Sequence, residues 1–233
     1  MAFGSRMLNG PRLPPARGAA THLVVLCHGY GADGNDLISL APVWQRLMPT
    51  LAFVAPNAPQ RCAGSPGYQW FAISRLDPHD MNSGVEAAAA GLEAFLDAEL
   101  ARHNLPPERL ALVGFSQGTM MSLHVGLRRK VKPAAIVGYS GMLTNAEGLE
   151  NYAREAPPIL LVHGDADQMI PAQFLFSSAA ALGRAGAAIQ WHLSPQVGHS
   201  IDEHGLALGG TFLAMAFRGL LKRSAAENSC SVG

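Results

Sequence analysis

The sequence predicts a single α/β domain, with a mostly parallel central sheet flanked by helices. Six short runs, His22 to Cys27, Leu51 to Ala55, Leu110 to Phe115, Ala134 to Tyr139, Ile159 to His163 and Ala188 to Leu193, are nearly continuous in apolar residues. That is the mark of parallel strands covered on both faces. Helical patterns of roughly ten to twenty residues alternate with these runs, which implies crossover connections and parallel pairing. At 233 residues, 48% hydrophobic and 15% charged, the chain can bury one sizeable core. It carries no internal repeat and no domain-scale linker.

Taken in order, residues 1–20 hold three prolines and little periodicity, and read as an N-terminal arm or edge strand. The domain proper spans 21–222 and a small, polar, flexible tail spans 223–233. A helix is expected from Asp36 to Met48. The clearest helix runs from Asn82 to His103, where Val85, Ala89, Leu92, Leu96 and Leu100 make one apolar stripe. Asn104-Leu105-Pro106-Pro107 stops it. Further helices are expected from Ser116 to Arg129, Pro171 to Gly183 and Leu206 to Lys222.

Charge and cysteine usage exclude several classes of function. Lys+Arg and Asp+Glu both number 17, so nothing draws the chain to a phosphate backbone, and no nucleic-acid partner is expected. Arg128-Arg129-Lys130 is read as a helix C-terminus. Cys27, Cys62 and Cys230 show no metal or redox spacing, the scattered histidines form no H-E-x-x-H, and no metal or cofactor is expected. No apolar run is long enough for a membrane span, and the N-terminus lacks the apolar core of a secretory signal. The expected location is cytoplasmic, and a homodimer is compatible with the sequence.

The strongest chemical signal is Gly114-Phe115-Ser116-Gln117-Gly118, a G-x-S-x-G motif between an apolar strand and a helical pattern. The strand must turn sharply into the helix and leave Ser116 strained, with its hydroxyl exposed. The glycines remove side chains that would collide across that turn. A serine hydroxyl needs a base, and the base an orienting carboxylate, in the chain order Ser, acid, His. Val162-His163-Gly164-Asp165-Ala166-Asp167 supplies acids after one strand, and Val197-Gly198-His199 a base after the last. Asp167 is assigned as the acid over Asp165, which sits directly after Gly164 and can brace the turn. His199, in a Gly/Ser loop, is assigned over His192 inside a strand run and His204 near a helix start.

A second anchor, Leu26-Cys27-His28-Gly29-Tyr30-Gly31-Ala32-Asp33-Gly34, follows the first full strand. Its glycines let the chain pass close to the nucleophile. The backbone N–H groups of Tyr30 and Gln117 are the expected oxyanion donors. His28 is read as structural. The glycines at 29, 31 and 34 have the G-x-G-x-x-G spacing, but no acidic residue stands some twenty positions on, which argues against a dinucleotide fingerprint.

Together these residues resemble the acyl-protein thioesterase, phospholipase and carboxylesterase family of α/β-hydrolases. The likeness rests on Leu26 to Gly31, Asp33 to Asp36, Pro56-Asn57-Ala58-Pro59, Trp70-Phe71, Gly114 to Gly118, His163 to Asp167 and Gly198-His199, and covers about residues 20 to 222. The resemblance implies a triad of Ser116, Asp167 and His199, because the family uses the second acid of the segment, and Tyr30 with Gln117 as oxyanion donors. It departs where Ala72 follows Trp70-Phe71 and where Gln168-Met169-Ile170-Pro171 follows the acid, two places that shape an acyl pocket. The short segment from Ser140 to Pro158 leaves no room for a large cap. The expected groove has Tyr68, Trp70, Phe71 and Ile73 on one side, Met142 and Leu143 on the other, and Met169 nearby. An alternative reading makes the aromatic group core residues.

The expected function is a serine carboxylesterase acting on a small-molecule ester or acylated substrate with short to medium acyl chains. A thioesterase or lysophospholipase for longer chains is the alternative within the class. A non-catalytic binding protein on a hydrolase scaffold is the alternative outside it.

Overall fold

The computed structural model describes residues 7–73, 77–153 and 155–221. In chain order the elements are β1 (Arg12–Leu13), β2 (His22–Cys27), α1 (Gly34–Ile38), α2 (Ala41–Leu47), β3 (Leu51–Val54), β4 (Gln60–Arg61), β5 (Tyr68–Gln69) and α3 (Pro78–Arg102). They continue with β6 (Leu110–Phe115), α4 (Gln117–Arg128), β7 (Ala135–Tyr139), α5 (Glu150–Ala153), β8 (Ile159–Gly164), α6 (Gln173–Arg184), β9 (Ile189–Ser194) and α7 (Glu203–Phe217). Seven strands form one sheet in the order β1-β3-β2-β6-β7-β8-β9. All neighbours are parallel except β1, which runs antiparallel to β3.

Strand alternation sorts the core into two layers. Leu23, Val25 and Cys27 of β2, with Leu110 and Leu112 of β6, pack toward α3 and α4. Val24 and Leu26, with Ala111 and Val113, pack toward α1, α2 and α7, where Trp44 and Phe212 fill the space. On the far half of the first face, Ile136, Ile159 and Leu161 meet α4, α5 and α6. Both faces are therefore covered, as continuous apolar strands require. The last strand departs from that expectation. β9 pairs with β8 alone, and Gln190 and Trp191 are exposed along it.

Three helices differ from their expected spans. The stretch 36–48 is two short helices, because Pro42 opens the second and cannot donate to the turn before it. α3 begins four residues early. Asp77 caps it by accepting from the N–H groups of His79 and Asp80, and Pro78 occupies the first turn. α7 ends at Phe217, where the Leu220 N–H turns back to the Met215 carbonyl at 3.0 Å. The 223–233 tail lies outside the described residues. Part of the N-terminal arm is β1, and Arg12 fastens it to α3 through Glu99 at 2.6 Å. Among the described residues no helix is long and apolar enough to cross a membrane.

This topology prepares one site. The carboxyl ends of β2, β6, β7, β8 and β9 are level, with Cys27 opposite Gly114, Phe115 opposite Tyr139 and Gly164 opposite Ser194. The loops that leave these ends carry Tyr30, Ser116, Asp167 and His199.

Candidate active site

Ser116 sits between β6 and α4 with φ 53° and ψ −118°. A non-glycine residue at positive φ costs on the order of 1–3 kcal/mol and persists only where its surroundings enforce it. Here they do. The Ser116 N–H is held by the Tyr139 carbonyl at 2.9 Å, and the Thr119 hydroxyl lies 2.9 Å from both the Gly114 and Tyr139 carbonyls. Ser116 occupies the helix N-cap position yet makes no capping bond with its side chain, so the hydroxyl is not spent on the helix. A Cβ at Gly118 would lie 1.8 Å from the Cys27 carbonyl oxygen, so only glycine lets α4 start against the end of β2.

Two loops assemble the base and its acid. The His199 Nδ1–H donates to Asp167 Oδ2 at 2.7 Å. The other carboxylate oxygen accepts the Met169 and Ile170 N–H groups, each at 2.9 Å. Those two bonds fix the carboxylate plane, and the first fixes the imidazole tautomer and leaves Nε2 for chemistry. The Asp167 side chain is fully buried and that of His199 is 14% exposed. Gly164 allows the approach, since a Cβ there would meet the Val197 carbonyl oxygen at 2.1 Å. Asp165 is exposed and points elsewhere, accepting the Gln196 N–H at 2.6 Å and bracing a turn in which Gln196 has φ 61°. His192 and His204 lie against each other, ring centroids 4.9 Å apart.

The loop after β2 is tied at both ends. The Gly31 N–H donates to the Tyr68 carbonyl at 2.9 Å, and the Tyr68 N–H to the Ala32 carbonyl at 2.8 Å. His28 is fully buried, with Nδ1 2.7 Å from the Gly29 carbonyl and Nε2 accepting the Ala58 N–H at 3.0 Å. Burial lowers its pKa, although the Gly29 carbonyl opposes the shift. The neutral ring links this loop to the Pro56–Pro59 turn. A Cβ on Gly29 would sit 3.2 Å from the Ser116 Cβ, which measures how closely the loop passes the serine. Tyr30 is 44% exposed at the loop's tip.

The expected groove walls are placed differently. Trp70 has no exposed surface, and its indole N–H donates to the His28 carbonyl at 2.9 Å. Phe71 is buried against Gly84 of α3, and Met142 packs in the same core cluster. Trp70, Phe71 and Met142 are thus core side chains, and Gly84 of α3 leaves the space that the Phe71 ring fills. Tyr68 and Ile73 are half-buried beside that cluster, and Leu143 borders the α4–α6 cluster with its N–H on Ser178 Oγ at 2.9 Å. Met169 is 67% exposed on the segment that follows the acid.

Two side chains have roles beyond those named above. Gln117, named only for its backbone, also accepts the Trp70 N–H with Oε1 and donates to the Phe71 carbonyl with Nε2, both at 2.8 Å. His163 places Nε2 2.7 Å from the Ile170 carbonyl and 3.2 Å from Asp167 Oδ2. Both residues lie inside segments already singled out, Gln117 in Gly114 to Gly118 and His163 in Val162 to Asp167, and that was the available signal.

A sequence profile for the phospholipase/carboxylesterase family matches residues 9–216. The chain belongs to that family. Among its relatives, acyl-protein thioesterase 1 of Gibberella zeae is 29% identical over 210 residues, covering 82% of this chain and 88% of that protein. Acyl-protein thioesterase 1 of Schizosaccharomyces pombe is 33% identical over 174 residues, covering 70% and 75%. Among solved structures, esterase PE8 superposes with a TM-score of 0.86 at 42% identity, covering 93% of this chain and all of the other. Acyl-protein thioesterase 2 of Zea mays, at 23% identity and a TM-score of 0.72, covers 90% and 99% and shares the fold. This member of the phospholipase/carboxylesterase family is a single α/β-hydrolase domain without a large cap, and its activity class is serine hydrolysis of esters or thioesters.

Proposed function

We propose that the protein is a carboxylesterase that hydrolyses esters of short to medium acyl chains through an acyl-enzyme on Ser116. The observation that carries this reading is the 2.7 Å bond from the His199 ring to Asp167, whose second oxygen is locked by two backbone N–H groups. In the first half-reaction His199 Nε2 takes the hydroxyl proton as Ser116 Oγ bonds to the acyl carbon. The carbonyl oxygen becomes an oxyanion, facing the N–H groups of Tyr30 and Gln117. One such donor is typically worth about 100- to 1,000-fold in rate. The carbon–oxygen bond to the alcohol then breaks, and His199 returns the proton to the leaving oxygen. In the second half-reaction water gives a proton to His199 and adds to the acyl carbon, the bond to Ser116 Oγ breaks, and His199 returns the proton to Oγ as the acid leaves.

The burial of Trp70, Phe71 and Met142 supports the limit on acyl length, since these side chains are packed into the core and are not an open groove wall. The 42% identity to a protein named an esterase supports the ester preference. The names of the curated relatives favour a second reading, a thioesterase acting on longer acyl chains. Hydrolysis of butyryl, octanoyl and palmitoyl esters and matched thioesters separates the two. The first reading expects kcat/KM to fall beyond octanoyl and esters to be preferred. A maximum at palmitoyl thioester would replace it with the second. A serine-directed phosphonate should label Ser116 in the folded protein, and failure to do so would sink both.

A further inference from the structure

A cavity of about 260 Å³ opens beside His199, on the face of the sheet opposite Trp70 and Met142. Leu37 and Leu40 of the α1–α2 region, Phe115 and Ile201 give it an apolar lining, and Asp36 stands at its rim. Phe115 directly precedes the nucleophile, and its ring lies 4.9 Å from the His199 ring between centroids. The cavity thus abuts the base itself. The Asp36 side chain is exposed, and among the described residues His199 is the only basic one that lines the cavity.

We propose that this cavity is the alcohol subsite, and that it selects a neutral or cationic alcohol with a compact apolar body. The inference rests on the esterase reading above. The ester's two halves must diverge from the carbonyl carbon bonded to Ser116. The leaving oxygen has to come within hydrogen-bond reach of His199 Nε2, because that nitrogen delivers its proton. The group attached to the leaving oxygen therefore lies on the histidine side, and the acyl chain lies away from it. A cavity that abuts His199 receives the former. Its volume suits a benzyl-sized group, and its apolar lining rewards burial of one. The Asp36 carboxylate disfavours an alcohol carrying phosphate or sulfonate and favours one carrying an ammonium group.

The test uses butyrate esters of ethanol, benzyl alcohol, choline and isethionate, so that the acyl group is constant. The wild-type chain should prefer benzyl to ethyl and choline to isethionate. Ile201→Trp, which fills the cavity, should lower the benzyl-to-ethyl ratio of kcat/KM about tenfold, the scale at which apolar pockets discriminate. Ile201→Ala, which enlarges it, should shift preference from benzyl to naphthylmethyl esters, and this holds the test open if the tryptophan variant fails to fold. Asp36→Lys should invert the choline-to-isethionate ratio. Alcohol ratios that stay fixed in these variants while the octanoyl-to-butyryl ratio changes would overturn the proposal, because the cavity would then hold the acyl chain. If no ester is cleaved and Ser116 is not labelled by the phosphonate, the esterase reading itself falls.

Discussion

His163 and His199 converge on a single oxygen, Asp167 Oδ2, at 3.2 and 2.7 Å. The two rings differ in their other bonds. His163 is almost wholly buried and gives its Nε2–H chiefly to the Ile170 carbonyl, while His199 bonds Asp167 through Nδ1 and has no bond at Nε2 among the described residues. His163 thus holds the far side of the segment that presents the acid.

Replacing His163 by Leu leaves the buried Ile170 carbonyl without its donor and frees the acid segment. We expect kcat to fall about tenfold, equivalent to about 1.4 kcal/mol. The low-field proton resonance of the His199–Asp167 bond should move at the same time. His163→Gln, which can still donate to Ile170, should restore much of both. A loss of stability with an unmoved resonance would assign His163 a packing role alone.

Gln117→Leu keeps the backbone N–H at the proposed oxyanion position but removes both bonds to the Trp70-Phe71 segment. The Trp70 N–H is then buried without an acceptor, at a cost of about 1–3 kcal/mol. Chemical denaturation should record that loss. Hydrolysis should fall as well, since Trp70 also supports the His28 carbonyl beneath the loop that carries Tyr30.

Ser116→Gly should separate stability from activity. Glycine accepts φ 53° without strain, so the variant should unfold at a higher temperature, by a gain of about 1 kcal/mol after its added unfolded-state entropy. Ester hydrolysis should disappear. A variant no more stable than the parent would show that the elbow stores no strain.

Acid should destabilise the fold through three buried histidines. Burial lowers the pKa of His28, of His22 to about 4 with help from Arg109, and of His124 to about 4 with help from Arg128. Each is neutral in the folded chain and becomes protonated near pH 6.5 when unfolded. The unfolded state therefore binds more protons between about pH 6.5 and 4, and stability falls as the pH drops through that window. Thermal melts across it should show the decline. Among the described residues His124 Nδ1 is buried without a partner, so His124→Leu should make the slope shallower.

The strand runs were legible because five of them are buried on both faces and needed no partner to be recognised. Element ends were not, because they depend on single bonds such as Asp77 to the start of α3. The chain order Ser116, Asp167, His199 could be read from motifs at strand ends, which a parallel sheet must bring together. The groove could not. Whether Trp70 faces solvent or core depends on Gln117, forty-seven positions away, which pulls its backbone inward. The cavity by His199 was equally hidden, since Leu40 between α1 and α2, Phe115 at the end of β6 and Ile201 in the loop after β9 meet only in the folded chain.

β9 has a neighbour on one side only, while β6, which leads into Ser116, lies between β2 and β7. The serine is thus rooted in the middle of the sheet, and the histidine hangs from its margin. Margins open at lower free energy than centres. On warming, exchange of the β9 amides should quicken first, and turnover should cease while most of the helical signal is still intact. His199 should leave its place before the fold is lost.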